Sequence, residues 1–241
     1  MANNISLKKT ITTSSFQCDF SRNMKISAMQ RIFQDVADWH CAKFQLDFDS
    51  LREYDLAFLV SRIHIHIYQP PKFGDKLTVS TWHHTEIGAQ FIRNSNITRG
   101  KTMLVEASTS WLLYSPALHK ICRPNMLPRE LPHCSRKVEP KIDKFIVPSD
   151  IKLRSTHKVE YAEIDMNGHL NNSVYPDIIC NVLSEKLLTG YIKDIEISYI
   201  SEAKLNDLLQ IYYDIIDNKY YFRVFHDRGK CFEAIIEVCD D

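Results

Sequence analysis

Arg99-Gly100-Lys101, set at a turn between two strand-like runs, returns near the end of the chain as Arg228-Gly229-Lys230 in the same setting. Recurrence of this kind is a sign of duplication. Gly74-Asp75-Lys76-Leu77 has a weaker echo in Asn206-Asp207-Leu208-Leu209. Ser21-x-Asn23-x-Lys25 aligns with Asp165-x-Asn167-x-His169, each segment leading into a helical pattern. The repeat is faint but keeps its order.

Two helices stand out. Ile26, Met29, Phe33, Val36, Ala37, His40 and Phe44 fall three and four residues apart, an apolar stripe that ends near Gln45. Val174, Ile178, Val182 and Leu188, with Tyr175, Ile179, Leu183 and Leu187, form a wider face that stops at Gly190. Asn171 and Asn172 are the candidate N-caps, and Pro176 is tolerated within the first turn, where amide hydrogens lack intrahelical partners. Strands follow each helix. Residues 62–68 read R-I-H-I-H-I-Y, with period-two alternation, and 77–82 continue after a turn built from Pro70, Pro71, Gly74 and Asp75, as in an antiparallel meander. Further strands are expected at 90–97, 102–114, 194–200, 208–216, 220–226 and 231–238. Between the halves, Pro124, Pro128, Pro132, Pro140 and Pro148 mark an extended linker. The expected division is 1–125, a Pro-rich linker at 126–150, and 151–241.

The chain has 241 residues, 44% hydrophobic and 25% charged, as in an ordinary globular protein with a real core. Thirty basic residues balance thirty acidic ones, so no large net field favours nucleic acid or an anionic membrane. Met1 to Thr13 is polar and lacks an apolar h-region, and no run reaches the ~18 apolar residues of a spanning helix, so neither a secretory signal nor a membrane span is expected. Seven scattered cysteines without a C-x-x-C pair point to reduced thiols, a cytoplasmic setting and no zinc site.

Chemistry concentrates at Asp165-Met166-Asn167-Gly168-His169-Leu170-Asn171-Asn172-Ser173-Val174-Tyr175, a polar cluster directly before an apolar helix. Taken singly, these Asn and Asp residues are ordinary turn and cap residues. Taken together they offer free helix-start N–H groups beside Leu170 or Asn171 for an oxyanion, while His169 or Asp165 handles protons. Gly168 permits a positive φ.

D-x-N-x-H followed by x-N-N-x-x-Y resembles the signature of the acyl-ACP thioesterases, the plant plastidial enzymes and their bacterial relatives. Thr81-Trp82, Arg93, Trp111 and Arg123-Pro124 resemble the first half of that family, and Ile197-Ser198-Tyr199-Ile200-Ser201-Glu202 resembles the segment ending in its functional Glu. The resemblance implies an α+β fold of two tandem hot-dog units, each a long helix wrapped by an antiparallel sheet. It implies hydrolysis of fatty acyl groups from acyl carrier protein, without cofactor or metal, by Asp165, Asn167, His169 and Glu202. Many plant members carry a Cys after that Glu, where this chain has Ala203, so water must attack directly. Glu202 and His169 would deprotonate it, Asp165 would orient the pair, and Asn167 would polarise the carbonyl or hold the water. Glu202 alone reads as a solvent-facing residue at a strand end.

The first half acts as an internal control. Ser21, Asn23, Lys25 and Pro70 align with the four catalytic positions and assemble no acid/base pair, which predicts one active site per chain. The N-terminal half is then expected to supply the acyl tunnel through Met29, Phe33 and Trp39, residues that core packing explains nearly as well. His64 and His66 alternate on one strand face without a third metal ligand at usable spacing. Arg123, Arg129, Arg136, Lys137, Lys141 and Lys144 suit either a solvated linker or docking of the acidic carrier protein. An acyl-CoA thioesterase, a dehydratase on the same scaffold and a non-catalytic acyl-binding module are the rival functions. The halves satisfying each other permit a monomer, and further pairing of sheets a homodimer.

Overall fold

The computed structural model describes residues 5–240. The first half runs β1 (Leu7–Thr12), α1 (Ile26–Ala42), α2 (Phe48–Arg52), β2 (Ala57–Ile67), β3 (Lys76–Ile87), β4 (Gln90–Arg99), β5 (Thr102–Ser115) and β6 (Lys120–Cys122). The second runs β7 (Lys152–Lys158), α3 (Val174–Val182), α4 (Ser184–Leu187), β8 (Gly190–Tyr199), β9 (Leu208–Ile216), β10 (Lys219–His226) and β11 (Gly229–Asp240). The strands form one antiparallel sheet in the order β1-β3-β4-β5-β2-β8-β11-β10-β9-β7, with β6 on β5. The two tandem helix-and-sheet units therefore join edge to edge through β2 and β8.

That seam pairs Arg62–His66 with Asp194–Ser198 in antiparallel register. Ile63, Ile65 and Ile67 on β2 and Ile195 and Ile197 on β8 all turn to one face, where they join Met29, Phe33, Ile178 and Ile179 in a single core cluster. Burying each such side chain is worth roughly 1.5–3 kcal/mol. The shared core thus outweighs any polar contact across the seam.

The structure corrects the expected meander. β2 does not pair with β3, since β3, β4 and β5 form the meander and β2 lies beyond β5. Residues 68–75 separate the two strands, longer than a tight hairpin needs, and Pro70 and Pro71 supply no amide hydrogens to a ladder. β1 and β7 carry no alternation legible in sequence. They are the two outermost strands, and their lysines suit exposed edges. The second helix is divided at Leu183 into α3 and α4, although Leu183 still donates to the Ile179 carbonyl and Leu187 to that of Leu183. The break is a bend in a continuing ladder. α1 ends as its stripe indicates, with Gln45 at φ 57 and the Leu46 amide returning to the Cys41 carbonyl.

The faint repeats acquire a physical reason. Arg99 reaches Asp75 at 3.0 Å in the first half, and Arg228 donates to Asp207 at 3.0 Å in the second. The recurring Arg-Gly-Lys and Asp turns are therefore partners in space, clasping one strand connection to another.

Residues 127–151 contain no helix or strand, yet they are a strap rather than a solvated linker. The Pro140 carbonyl accepts from Ser108, the Lys141 carbonyl lies 2.8 Å from His64 Nδ1, and the Arg136 carbonyl accepts from the Trp82 indole. Strand register puts Trp82, Asn94, Ser108 and His64 in one row, on the face opposite the helices. Arg136 also lies 3.4 Å over the Trp82 ring, so it is committed to packing. The strap buries the polar outer faces of β4 and β5.

On that outer face Asp194 accepts from both His64 (2.9 Å) and His66 (2.8 Å). Burial works against the charge on each partner, but the bonds outweigh it, so His64 is raised above its ordinary value and Asp194 held below the usual carboxylate range. The Asp194 contribution to stability is present above the ordinary carboxylate pKa and lost as pH falls through the depressed value; the His64 contribution is full below the ordinary imidazole pKa and lost as pH rises through the elevated one. Calorimetric Tm measured against pH is expected to show a plateau between about 4 and 6.5, the ordinary values of the two groups. The plateau is expected to flatten in Asp194→Asn.

Candidate active site

The loop entering α3 is built around one carboxylate. Asp165 Oδ1 accepts from the amide of Asn167 at 2.8 Å and from that of His169 at 3.4 Å, while the Asp165 amide donates to the His169 carbonyl at 2.9 Å. Gly168 turns the corner at φ 79, a region that disfavours side chains. Leu170 then donates to the carbonyl of Ala203 at 2.8 Å, tying the loop to the segment after β8. This clasp sets His169 Nε2 3.0 Å from Glu202 Oε2. Both side chains remain open to solvent, at 35% and 49% exposure, so water reaches them. Lys204 Nζ lies 3.4 Å from the other Glu202 oxygen, and Arg228 donates to the Glu202 carbonyl at 3.3 Å.

Three expectations change. The amides of Leu170 and Asn171 do not stand free for an oxyanion, because they donate to the carbonyls of Ala203 and Glu163. Asn171 is not the N-cap of α3; Ser173 holds that position, and Asn171 Oδ1 accepts from its amide and hydroxyl. Asp165 shapes the loop through main-chain contacts, and Asn167, exposed at its tip, places its amide 3.4 Å from Asp165 Oδ2. Among the described cysteines, Cys231 sits behind this region within 3.8 Å of the Tyr175 hydroxyl, its thiol pushed up by burial to about 11. It stays protonated near neutral pH and supplies no nucleophile.

The internal alignment shifts by two residues. In the first half, the Asp19 amide donates to the Asn23 carbonyl, Asn23 donates to Asp19 Oδ1, Arg22 occupies the left-handed corner at φ 67, and Met24 donates to the carbonyl of Pro71. These bonds reproduce those of Asp165, His169, Gly168, Leu170 and Ala203. The counterparts of Asp165, Asn167, His169 and Glu202 are thus Asp19, Ser21, Asn23 and Pro70. A sequence comparison misses this because Asn23 and Asn167 match by type.

Two small cavities, about 30 and 40 Å³, share Ala37, Arg93 and Trp111, and the first reaches Asn172 and Ser173 beside the loop that bears His169. Phe33 lines the first of them. Met29 instead lines a separate cavity of about 590 Å³ that includes none of Asp165, Asn167, His169 or Glu202. Trp39 lines none of the three; it is exposed on the outside of α1, with the Lys9 ammonium 3.1 Å from its ring centre. Asn172, Ser173 and Tyr199 stand in the motifs quoted above, but nothing in the sequence singles out Arg31, which fixes the slot mouth with them. Arg31 donates to the Ser173 hydroxyl at 2.8 Å, and the Tyr199 hydroxyl donates to the Asn172 carbonyl at 3.1 Å. On α1, which also carries Ser27, Gln34, Asp35 and Asp38, polarity does not set Gln30 and Arg31 apart. Buried Arg93 contacts His40, Thr81 and Cys41, fastening α1 to the sheet. The third metal-capable group that sequence spacing does not supply to His64 arrives in space, since β8 brings Asp194 and Glu196 to it.

Residues 5–125 match the family model for the acyl-ACP thioesterase N-terminal domain, and residues 148–231 match that for the C-terminal domain. The chain belongs to the acyl-ACP thioesterase family. Within it, the oleoyl-acyl carrier protein thioesterase 2, chloroplastic, of Arabidopsis thaliana is 22% identical over 239 residues, covering 87% of this chain and 63% of the relative. The acyl-[acyl-carrier-protein] hydrolase FATB3, chloroplastic, of Cuphea viscosissima is 21% identical over 86% of this chain and 54% of its own length. The chain therefore spans less than two thirds of these curated relatives. An acyl-ACP thioesterase from Bacteroides thetaiotaomicron superposes with a TM-score of 0.85 at 20% identity over 98% of both chains. The 12:0-ACP thioesterase from Umbellularia californica gives 0.83 at 16% identity, also over 98% of both. These likenesses establish the shared double hot-dog fold. Among the described residues no helix is long and apolar enough to cross a membrane.

Gly168→Ala meets no neighbouring atom within 4 Å of the added Cβ, so its cost is the backbone strain alone. Urea unfolding is expected to show a loss of about 1 kcal/mol.

Proposed function

We propose that this member of the acyl-ACP thioesterase family hydrolyses the thioester between a fatty acyl chain and acyl carrier protein, using water activated by His169 and Glu202. The observation that carries the reading is the 3.0 Å contact between an imidazole and a carboxylate at an open loop beside a slot that enters the N-terminal half. Glu202 orients the ring and stabilises its protonated form, leaving the second ring nitrogen to take a proton from water. The water oxygen attacks the carbonyl carbon, the tetrahedral intermediate expels the thiolate, and the imidazolium returns the proton to sulfur. Free acid and carrier thiol result. Asp165 holds the loop that carries His169, and Asn167 at its tip donates to the carbonyl oxygen.

The absence of a thiol after Glu202 and the protonated state of Cys231 support attack by water rather than a covalent route. The acyl chain runs past Asn172 and Phe33 toward Trp111, the side chains along the slot giving way to admit it. The carrier protein is the partner, and the exposed pair leaves room for it. The single core shared by both units supports a monomer, and seven cysteines without a disulfide support a reducing, cytoplasmic setting.

Steady-state hydrolysis of a series of acyl-ACPs, with the acyl-CoAs run beside them, tests this. His169→Ala and Glu202→Ala are each expected to lower kcat/KM by about 10²–10⁴-fold, the usual contribution of general-base catalysis. Near-normal rates in both variants remove the pair from the mechanism; equal rates on acyl-CoA remove the carrier preference.

A further inference from the structure

Strand register sets His64 of β2 beside Glu196 of β8, and His66 beside Asp194, on the outer face that the strap crosses. A ring nitrogen of His64 and one oxygen each of Asp194 and Glu196 lie within 4.8 Å of one another, so the two halves of the chain contribute to one cluster. His64 Nδ1 lies 2.8 Å from the Lys141 carbonyl, which can only accept, so that nitrogen carries the ring hydrogen. A neutral ring then turns the lone pair of Nε2 toward Asp194 Oδ1 at 2.9 Å, acceptor against acceptor. A proton between them resolves this conflict but leaves Glu196 beside Asp194, carboxylate against carboxylate. A divalent cation satisfies all three groups at once. Of the other charges here, Asp143 and Lys219 act on Glu196 with opposite signs, and Arg62 donates to the Asp143 carbonyl at 3.3 Å. A metal-bound imidazole almost always gives its other N–H to a carbonyl or carboxylate, and a ligating carboxylate is itself hydrogen-bonded. Both supports are present: the Lys141 carbonyl holds His64, and His66 Nδ1 lies 2.8 Å from Asp194 Oδ2. The similar trio His83, Glu86 and His133 lacks them, because His83 Nδ1 is buried without a partner among the described residues.

We infer that His64, Asp194 and Glu196 form a site for a divalent transition-metal ion of the zinc class, with water in the fourth position. Tetrahedral ligation at about 2.0–2.2 Å sets ligand atoms about 3.3–3.6 Å apart, so the 2.9 Å between His64 Nε2 and Asp194 Oδ1 opens by about half an ångström. At 16% and 25% exposure these side chains have room to move and the ion a path inward. The imidazole ligand selects against Mg²⁺ and Ca²⁺, which prefer shells of oxygen. Ligation displaces the proton shared by His64 and Asp194 into solvent. The set contains none of Asp165, Asn167, His169 or Glu202, and its task is structural: the ion fastens β2 to β8 from outside, opposite the isoleucine core.

Calorimetric titration of the chelator-treated full chain with Zn²⁺ tests the site, with Tm followed beside it. Wild type is expected to show a saturable event and a Tm that rises with Zn²⁺, since the ion binds the folded seam. Glu196→Gln and His64→Gln, each checked for the wild-type fold by far-UV circular dichroism, weaken that event at least tenfold and lose the rise in Tm. If one of them fails to fold, the other decides the matter alone. His133→Ala, at the other trio, leaves the event unchanged, and Mg²⁺ at the same concentration produces none. No saturable Zn²⁺ binding in wild type, wild-type affinity in a folded Glu196→Gln or His64→Gln, or loss in His133→Ala overturns the inference; equal affinity for Mg²⁺ overturns the metal class.

Discussion

Pairing of β2 with β8 over five residues each turns two half-sheets into one, and the remaining structure depends on it. The inward isoleucines of both strands can be buried only if the halves adjoin, which draws α1 and α3 over one common core. Once they are so placed, Arg31 and Gln30 of α1 reach Ser173 and Tyr199 of the other half. The loop that bears His169 is therefore carried by one half and buttressed by the other. The outward residues of the same strands meet as His64, His66 and Asp194, a smaller contribution, because side chains at 16% to 25% exposure share their field with solvent.

Sequence was most informative where physical periodicity acts within one element. Ile63, Ile65 and Ile67 declare a half-buried strand, and the stripe from Ile26 to Phe44 declares a helix with its end near Gln45. The polar run at 165–169 announces a loop with chemistry, and the family likeness adds Glu202, which local pattern alone leaves as a surface residue. Pairing partners were not legible. Nothing along residues 62–68 states that β2 adjoins β8 rather than β3, because the alternation is the same in either arrangement. Edge strands escaped because charge, which protects a sheet edge, also erases the apolar pattern that reveals a strand.

The surroundings of individual side chains are illegible for a related reason. On a helix of seventeen residues, three apolar positions face different surroundings: Phe33 lines the slot, Met29 a different cavity and Trp39 the solvent. Type alone does not distinguish them. Asn23 matches Asn167 by identity while occupying the place of His169 by backbone hydrogen bonds, so residue type alone sets the halves two residues out of register. Geometry at these turns is conserved between the halves more closely than residue type, as Arg22 and Gly168 sharing a left-handed corner also shows.

The strap that crosses the outer face carries a consequence for how such a molecule diversifies. Two separate subunits related by a twofold axis must accept every substitution in duplicate. Joined in one polypeptide, the halves are encoded independently while their mutual encounter stays intramolecular and therefore concentrated. One half can thereby carry asparagine and proline where the other carries histidine and glutamate. Tethering thus lets two copies of one backbone turn carry unlike side chains at matching positions.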